Sequence, residues 1–168
     1  KPSDWSTHLI KLRDLQKETG GITEFIPLPY VSMESPMYKR GNSRPGPTFN
    51  EVLLMHAVSR IALNPHIKNI QASWVKLGKE GALSCLNAGV NDMGGTLMNE
   101  SISRAAGSIH GQEFEANRME EFIINSERRP QLRNTIYEPI QSRINSEISY
   151  DLSMTYMQTF LDSAHPVV

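Results

Sequence analysis

The sequence predicts an α/β fold in which buried parallel strands alternate with helices. Three short apolar runs, rich in β-branched and aromatic residues, begin near residues 22, 67 and 90, as expected of strands buried on both faces. Each run is followed by a segment with helical periodicity. Such alternation is typical of a parallel sheet covered by helices, either doubly wound or closed into a (β/α)8 barrel of the TIM type.

Two helices are defined by their ends. Over residues 5–17, apolar side chains recur at steps of three and four, which places them on one helix face, and a glycine pair from Gly20 ends the segment. Thr48 is followed by Glu51 three residues later. This capping-box pattern begins a second helix, which is predicted to run to Asn64.

The remaining elements complete the alternation. Strands are predicted over residues 22–28, 67–75 and 90–93, and further helices over residues 79–88 and 116–127. The predicted order is therefore helix, strand, helix, strand, helix, strand, helix. Three strands are too few to close a barrel.

A long proline-rich segment, residues 29–48, separates the first strand from the second helix. Its prolines and glycines are too frequent for a regular element, and tyrosines and methionines are interleaved with them. Loops of this length in compact domains usually carry function or are disordered. The apolar side chains disfavour disorder, so we expect a loop that faces the substrate.

The domain boundaries follow from the strand count. A complete barrel has eight strands and typically about 250 residues, so residues 1–137 are expected to be the C-terminal part of a barrel, with about three βα units. The chain begins at Lys1 rather than at methionine, which predicts a fragment whose other strands lie upstream; a processed N-terminus is the alternative. Residues 138–168 form a tail, in which isoleucines at four-residue steps suggest one amphipathic helix.

Composition narrows the function classes. The 168 residues carry 17 Lys and Arg against 18 Asp and Glu, a formal net charge of −1, which provides no basic surface for nucleic acid. No apolar run is long enough to span a membrane, and the order of a signal peptide is missing. We therefore expect a soluble intracellular protein, in the cytoplasm or in a eukaryotic organelle. The single cysteine, Cys85, can form no internal disulfide and cannot hold an iron-sulfur cluster by itself.

Polar residues follow the first two predicted strands, at the end where α/β folds place their active sites. Glu34 and Arg44 come after the first strand, and Arg44 offers a fork of donors to a carboxylate or phosphate. An ion pair with a surface acid is the alternative for Arg44. The second strand leads into Gln71, Ser73 and Lys76, for which the ordinary interpretation is that Lys76 extends to water.

The segment after the third strand is the richest in candidate groups. The pair Gly94-Gly95 lets the backbone approach a ligand. The following Thr96, Asn99 and Glu100 can bind the polar groups of a small molecule. A double glycine is also an ordinary turn, so the pattern alone leaves both interpretations open.

Three aromatic side chains carry separate expectations. Trp74 is expected to pack in the core. His56 lies within a predicted helix outside the sheet, where a packed or surface histidine is much commoner than a ligand, and His110, after the third strand, is the better candidate for chemistry. No zinc-protease, paired-cysteine, serine-hydrolase or phosphate-loop motif occurs.

Four strings carry a resemblance to a known family. They are GITEFIPLPY from Gly21, RPGPTF from Arg44, NIQASWVKLG from Asn69 and GGTLMNESISRAAG from Gly94. In this order they resemble the C-terminal half of the FO synthase family, in particular its tyrosine-using radical S-adenosylmethionine (SAM) subunit or domain, over residues 20–137. The radical SAM enzymes of the menaquinone pathway share the general plan and are the nearest alternative.

The resemblance implies a (β/α)8 radical SAM barrel. In that family, three cysteines of a C-x3-C-x2-C motif hold a [4Fe-4S] cluster, which cleaves S-adenosyl-L-methionine to a radical that attacks L-tyrosine. The tyrosine-derived group is joined to 5-amino-6-(D-ribitylamino)uracil. A companion FO synthase subunit or a fused domain then closes the ring of the deazaflavin precursor of coenzyme F420.

The chain departs from the family pattern because it contains no C-x3-C-x2-C motif. The fragment alone is therefore expected to bind no metal cluster and to perform no radical chemistry. The resemblance implies instead that it supplies part of the substrate and SAM pocket, through Glu24, Arg44, Gln71, Ser73, Lys76, Thr96, Asn99 and Glu100. The alternative is a truncated, non-catalytic module that binds a ligand.

Overall fold

The computed structural model describes residues 1–97, 99–111 and 113–140. Two units follow one another along the chain, residues 1–115 and the part that begins at Ala116. Their elements are α1 (Pro2–Thr19), β1 (Glu24–Phe25), α2 (Pro36–Lys39), α3 (Phe49–Leu63), β2 (Asn69–Ile70), α4 (Trp74–Asn87) and α5 (Ile102–Ala105) in the first unit, and α6 (Ala116–Asn125) in the second.

Helices α1 and α3 form where their end signals predict. Gly20 adopts a left-handed φ of 64° at the end of α1, and its N–H bonds to the Gln16 carbonyl. At the start of α3, Thr48 Oγ1 accepts a hydrogen bond from the Glu51 N–H at 3.2 Å, and the Glu51 carboxylate accepts from the Thr48 N–H at 2.7 Å. The predicted capping box is therefore confirmed.

The sheet is parallel, as predicted. β1 and β2 pair with Glu24 opposite Asn69. A third segment joins β2 through a parallel bridge between Gln71 and Asp92, supported by a hydrogen bond of 2.9 Å from the Ala72 N–H to the Asp92 carbonyl. The three segments lie side by side in chain order, as successive βα units do.

One face of this sheet carries an apolar core. Leu9 of α1, Leu63 of α3 and Ile67 are each at most 1% exposed and pack together with the partly buried Phe25. Ile70 of β2 is fully buried. Burial of these side chains, at about 25 cal/mol per Å² of apolar surface, is what holds α1 and α3 against the strands.

Arg60 of α3 ties the opposite, amino-terminal ends of the strands together. Its guanidinium donates to the carbonyls of Gly89 and Lys68, at 2.5 and 2.7 Å, and to Asn91 Oδ1 at 2.7 Å. The same Asn91 oxygen accepts from the Ile70 N–H at 2.9 Å. A single planar side chain thus fixes three chain segments, which its fork of donors makes possible.

The prediction of a strand over residues 67–75 is wrong beyond Gln71, because α4 begins at Trp74. The N–H groups of Lys76 and Leu77 bond to the Ser73 carbonyl at 3.0 Å, which starts the helix. Trp74 and Val75 are buried apolar residues in either conformation. Periodicity therefore cannot separate the end of a buried strand from the start of a buried helix here.

The other strands are also shorter than predicted, and two short helices were not predicted. The ladder of β1 covers Glu24–Phe25, and the third predicted strand, residues 90–93, is reduced to the single bridge at Asp92. The segment 29–48 is not wholly irregular, since Pro36 occupies the first turn of α2. The four-residue α5 follows the third parallel segment. Helix α4 bends at Gly78, whose φ is 73°, and the predicted helix over residues 79–88 corresponds to its second half.

The second unit begins with α6, which was predicted over residues 116–127 and ends at Asn125. Met119 is its buried residue. Beyond α6, Arg133 bridges to Pro139, and its guanidinium lies 3.9 Å from the centre of the Tyr137 ring. The amphipathic helix suggested for the tail falls almost entirely outside the described residues, and the domain boundary at residue 137 stays a prediction. None of the described helices is long and apolar enough to cross a membrane.

Candidate functional site at the carboxyl ends of the strands

The register of the parallel segments brings four polar side chains to one face of the sheet. Glu24 pairs with Asn69, and Gln71 pairs with Asp92. Because residues two apart on a strand share a face, all four lie on the side opposite the apolar core. Each of them is half-buried. Glu24 and Gln71 were predicted site residues, whereas Asn69 and Asp92 were not, since only the pairing register reveals that all four belong to the same face.

The glycine pair after the third segment is held from two sides. Asp92 Oδ1 accepts a hydrogen bond from the Gly94 N–H at 2.5 Å, and Trp74 Nε1 donates to the Gly95 carbonyl at 3.1 Å. Gly94 has a φ of +78°, and a Cβ at this position would lie 2.5 Å from Gln71 Nε2. The pair is therefore a turn whose first glycine also leaves room for the Gln71 side chain.

Trp74 lies in the core, as expected. It is 3% exposed, and its ring meets the Phe114 ring edge-on, with centroids 5.4 Å apart at 78°. Lys79 Nζ lies 4.2 Å from the centre of the Phe114 ring. These contacts fix the segment after the glycines against α4 on both sides of its bend at Gly78.

Lys76 and Glu100 meet the same residue of α5. Lys76 Nζ donates to Ser103 Oγ, and the Ser103 N–H donates to both Glu100 carboxylate oxygens at 3.0 Å. Ser103 is 2% exposed. Lys76 and Glu100, both predicted site residues, are thereby brought together through Ser103, which was not predicted; we call these three residues the Lys76 cluster. The signal that could have indicated it was an acidic residue, Glu100, just before a short helix, where a carboxylate can accept from the first N–H groups of the helix.

Three further predicted residues have different positions. Ser73 is the N-cap residue of α4 and makes no side-chain capping hydrogen bond. Thr96 and Asn99 are exposed in the segment between the glycine pair and α5. These three residues border the strand ends.

Arg44 lies apart from the other candidates. It is 61% exposed, and its Nη1 is 3.3 Å from Glu51 Oε1. This is the surface ion pair that was the alternative interpretation. Together with backbone hydrogen bonding from Thr48, the pair lowers the pKa of Glu51. Arg44 contributes to a cleft of about 350 Å³ between α1, α3 and residues 25–30, which we call cleft B.

A second cleft, cleft A, opens where the loops after β1 and after the third segment approach one another. The Glu34 N–H bonds to the Ala106 carbonyl at 3.1 Å, which joins the two loops. Cleft A has a volume of about 440 Å³ and is lined by residues 29–33, 45–47 and 108–110 together with Phe49 and Val52 of α3 and Lys76 and Leu77 of α4. Its volume is within the usual range of small-molecule sites.

The two histidines lie in different environments. His56 is fully buried, with Nδ1 2.8 Å from the Val52 carbonyl, and its Nε2 has no hydrogen-bond partner among the described residues. Burial lowers the pKa of His56, and the nearby carbonyls of Val52 and Gln71 oppose this in part. His110 is exposed beside cleft A, where Gly78 makes room for it: a Cβ at Gly78 would lie 2.8 Å from His110 Nδ1.

An iron-sulfur cluster does not fit the residues of this chain. No group of three His, Cys, Asp or Glu side chains that could hold a metal ion occurs among the described residues. The single cysteine, Cys85, is completely buried in α4, and burial raises its pKa to about 11. A thiol in that environment stays protonated, whereas a cluster ligand must be a thiolate.

Comparison with known proteins places these features in a family. A family model described as the CofH/MqnC C-terminal region matches residues 19–146. The "5-amino-6-(D-ribitylamino)uracil--L-tyrosine 4-hydroxyphenyl transferase" of Methanopyrus kandleri is 48% identical over 140 residues, which are 83% of this chain and 38% of that protein.

Two further relatives are named FO synthase. That of Mycobacterium leprae is 54% identical over 110 residues, 66% of this chain and 13% of its own length. That of Streptomyces coelicolor is 44% identical over 140 residues, 83% of this chain and 16% of its own length. This chain thus spans well under half of each relative. The resemblance seen in the sequence is confirmed, and the chain belongs to the CofH/MqnC C-terminal region family.

Proposed function

We propose that this chain is the C-terminal part of a radical SAM transferase that joins the hydroxybenzyl group of L-tyrosine to 5-amino-6-(D-ribitylamino)uracil, a step of deazaflavin synthesis. The observation that carries the proposal is the 48% identity, over 83% of this chain, to a protein named as that transferase. The FO synthase relatives support the same pathway, because each matches most of this chain at 44% identity or more.

In this proposal the chain completes a (β/α)8 barrel. Its three parallel segments run in chain order, and β1 has a described partner on one side only. The half-buried polar face with Glu24 and Gln71 would then point into the barrel, where side chains of parallel strands meet a ligand at the carboxyl ends. The open edge of β1 would pair with the preceding strand of the complete enzyme.

The proposed task of the described residues is to bind and orient, not to generate a radical. The cluster that a radical SAM enzyme requires would be held by cysteines elsewhere in the complete protein, because Cys85 is buried and protonated. The proposed substrate and SAM pocket comprises side chains that border the strand ends, namely Glu24, Gln71, Ser73, Lys76, Thr96, Asn99 and Glu100. Arg44 is retained as a weaker candidate, because its guanidinium is paired in a different cleft.

A companion subunit or fused domain is part of the same proposal. The M. leprae and S. coelicolor relatives are several times longer than the matched segment, since this chain covers 13% and 16% of them. In those proteins a single polypeptide has room for a second catalytic domain. We propose that such a partner closes the deazaflavin ring after the transfer.

A chimera tests the proposed function. This chain would replace the matching region of the M. kandleri transferase, and the chimera would be assayed with L-tyrosine, the ribitylaminouracil, SAM and a reductant. We expect the adduct to form, and to be lost when the cluster cysteines of the host are changed to alanine. A chimera that folds and shows the absorption of its iron-sulfur cluster, yet forms no adduct, would contradict the proposal.

A second candidate function is ligand binding without radical chemistry. The lone, buried cysteine favours it, because one cysteine cannot supply the thiolates of an iron-sulfur cluster and no metal-holding group of three side chains occurs among the described residues. In that case the isolated chain would bind the ribitylaminouracil while the chimera stays inactive. A menaquinone-pathway activity, the other alternative within the family, would be recognised if the chimera accepts a substrate of that pathway in place of tyrosine.

A further inference from the structure

Lys76 is the lysine that lines cleft A. Lys76 is half-buried, and its Nζ bonds to the neutral hydroxyl of Ser103; among the residues that the structure describes it makes no ion pair. By contrast, Lys39 and Arg44 are paired with Glu34 and Glu51. A partly buried ammonium group without a counter-ion is costly, and an anionic ligand removes that cost.

The walls of the same cleft are apolar. Phe49 and Met33 line it and are 47% and 50% exposed, and Leu77 and three prolines add to this apolar part of the lining, which also includes the polar Ser32, Ser108 and His110. Exposed aromatic and methionine side chains inside a cleft are typical of a surface that an apolar ligand covers. The ligand therefore combines an anionic end with an apolar body.

The anion is better explained as a carboxylate than as a phosphate. Lys76 is the only lysine or arginine of the described residues that lines cleft A, because Arg44 lines cleft B. Phosphate sites usually gather several cationic or N–H donors around a group of higher charge. One ammonium group matches one carboxylate.

We infer that cleft A is the subsite for an aromatic α-amino acid, in which Lys76 binds the carboxylate and Phe49 and Met33 contact the ring. This assignment rests on the proposed function, and it deepens it by giving the amino-acid substrate a location and an anchor. Lys76 acts as a specificity-determining residue: it distinguishes an amino acid from the corresponding amine. Ser103 holds the lysine from the α5 side, and Glu100 in turn accepts from the Ser103 N–H.

The test measures binding to the full 168-residue chain by calorimetry, with L-tyrosine, with tyramine, which lacks the carboxylate, and with inorganic phosphate. We expect L-tyrosine to bind at least about tenfold more tightly than tyramine, the ratio for one charge-assisted hydrogen bond. Lys76→Met should lower the affinity for L-tyrosine to that of tyramine and leave tyramine unchanged. Lys76→Arg should retain part of the preference.

Two matched variants separate a ligand contact from a structural effect. Lys68→Met removes the same charge from an exposed residue at the opposite end of β2 and should leave both affinities unchanged. Phe49→Ala should weaken both ligands to the same extent, because both carry the ring. Ser103→Ala should preserve the preference for L-tyrosine if Lys76 contacts the ligand.

Each opposite outcome overturns the assignment. Equal loss of both ligands in Lys76→Met would make the lysine a structural residue, and phosphate that displaces L-tyrosine at comparable concentration would make cleft A a phosphate site. Absence of saturable L-tyrosine binding by the wild-type chain would remove the subsite altogether. None of these results decides the transferase activity, which adduct formation by the chimera measures separately.

Discussion

The indole Nε1 of Trp74 donates a hydrogen bond of 3.1 Å to the carbonyl of Gly95. Trp74 opens α4 after the second parallel segment, whereas Gly95 follows the third. This bond therefore ties together the ends of two neighbouring βα units, at the place where the proposed pocket residues converge. The relationship accounts for a buried tryptophan in a segment whose periodicity also suits a strand.

Changing Trp74 to phenylalanine should destabilise the first unit. The exchange removes the donor to Gly95 and leaves a small cavity, so we expect the free energy of unfolding to fall by about 1–3 kcal/mol. Urea denaturation followed by circular dichroism measures this. The matched control is Trp5→Phe on α1, whose indole makes no hydrogen bond that the structure records and which is half-exposed. A larger loss at Trp5 than at Trp74 would contradict the role of the bond.

The two adjacent glycines should respond differently to alanine. At Gly94 a Cβ meets Gln71 Nε2 at 2.5 Å and φ is +78°, whereas nothing lies within 4 Å of a Cβ at Gly95. Gly94→Ala should cost about 1–2 kcal/mol of stability, and Gly95→Ala should change it by less than about 1 kcal/mol. In the double variant Gly94→Ala with Gln71→Ala, only the part of the lost stability that is due to the clash with Gln71 should be recovered, since the backbone strain remains.

Arg60 should be among the partly exposed residues of α3 whose substitution most destabilises the first unit. Arg60→Met leaves three acceptors without their shared donor, and we expect a loss of about 2–4 kcal/mol in the free energy of unfolding. Arg44→Met, which removes a guanidinium that is 61% exposed, should cost much less. Comparable losses for the two variants would show that the three hydrogen bonds of Arg60 add little.

The stability of the first unit should decrease in mild acid because of His56. Burial lowers the pKa of His56 in the folded chain below its unfolded value of about 6.5. As the pH falls, His56 therefore takes up a proton in the unfolded chain before it does so in the folded chain. The stability that depends on a neutral His56 is complete above about pH 6.5 and is lost as the pH falls through the folded pKa. Unfolding experiments from pH 8 to pH 5, at steps of about one unit, measure the slope of the free energy of unfolding against pH. His56→Gln should flatten this slope, and an unchanged slope in the variant would contradict its assignment to His56.

The thiol of Cys85 should be almost unreactive in the folded chain. It is completely buried, and its pKa is raised to about 11, so very little thiolate is present at pH 8. A thiol reagent should react slowly in buffer and rapidly in urea, and the signal has one source because the chain contains one cysteine. Treatment of the chain with iron and sulfide should produce no cluster absorption, and stable [4Fe-4S] absorption would disprove this account of Cys85.

Much of the fold was determined by local sequence signals. The capping box at Thr48, the glycine after α1 and the periodicity of α3 act over a few residues, and the structure has them where they were predicted. The buried character of the apolar runs was sufficient to predict a parallel α/β arrangement, because strands covered on both faces need helices between them. The family was also determined by the sequence, through four strings in fixed order.

Other features were decided by the tertiary structure alone, because they depend on contacts between residues far apart in the chain. The end of β2 and the start of α4 depend on which acceptors Ala72 and Lys76 find. The polar face depends on the register that sets Gln71 against Asp92. The Lys76 cluster needs Ser103, which lies 27 residues away in the chain. Local preference cannot specify such pairings, since they form only when the packed core brings the segments together.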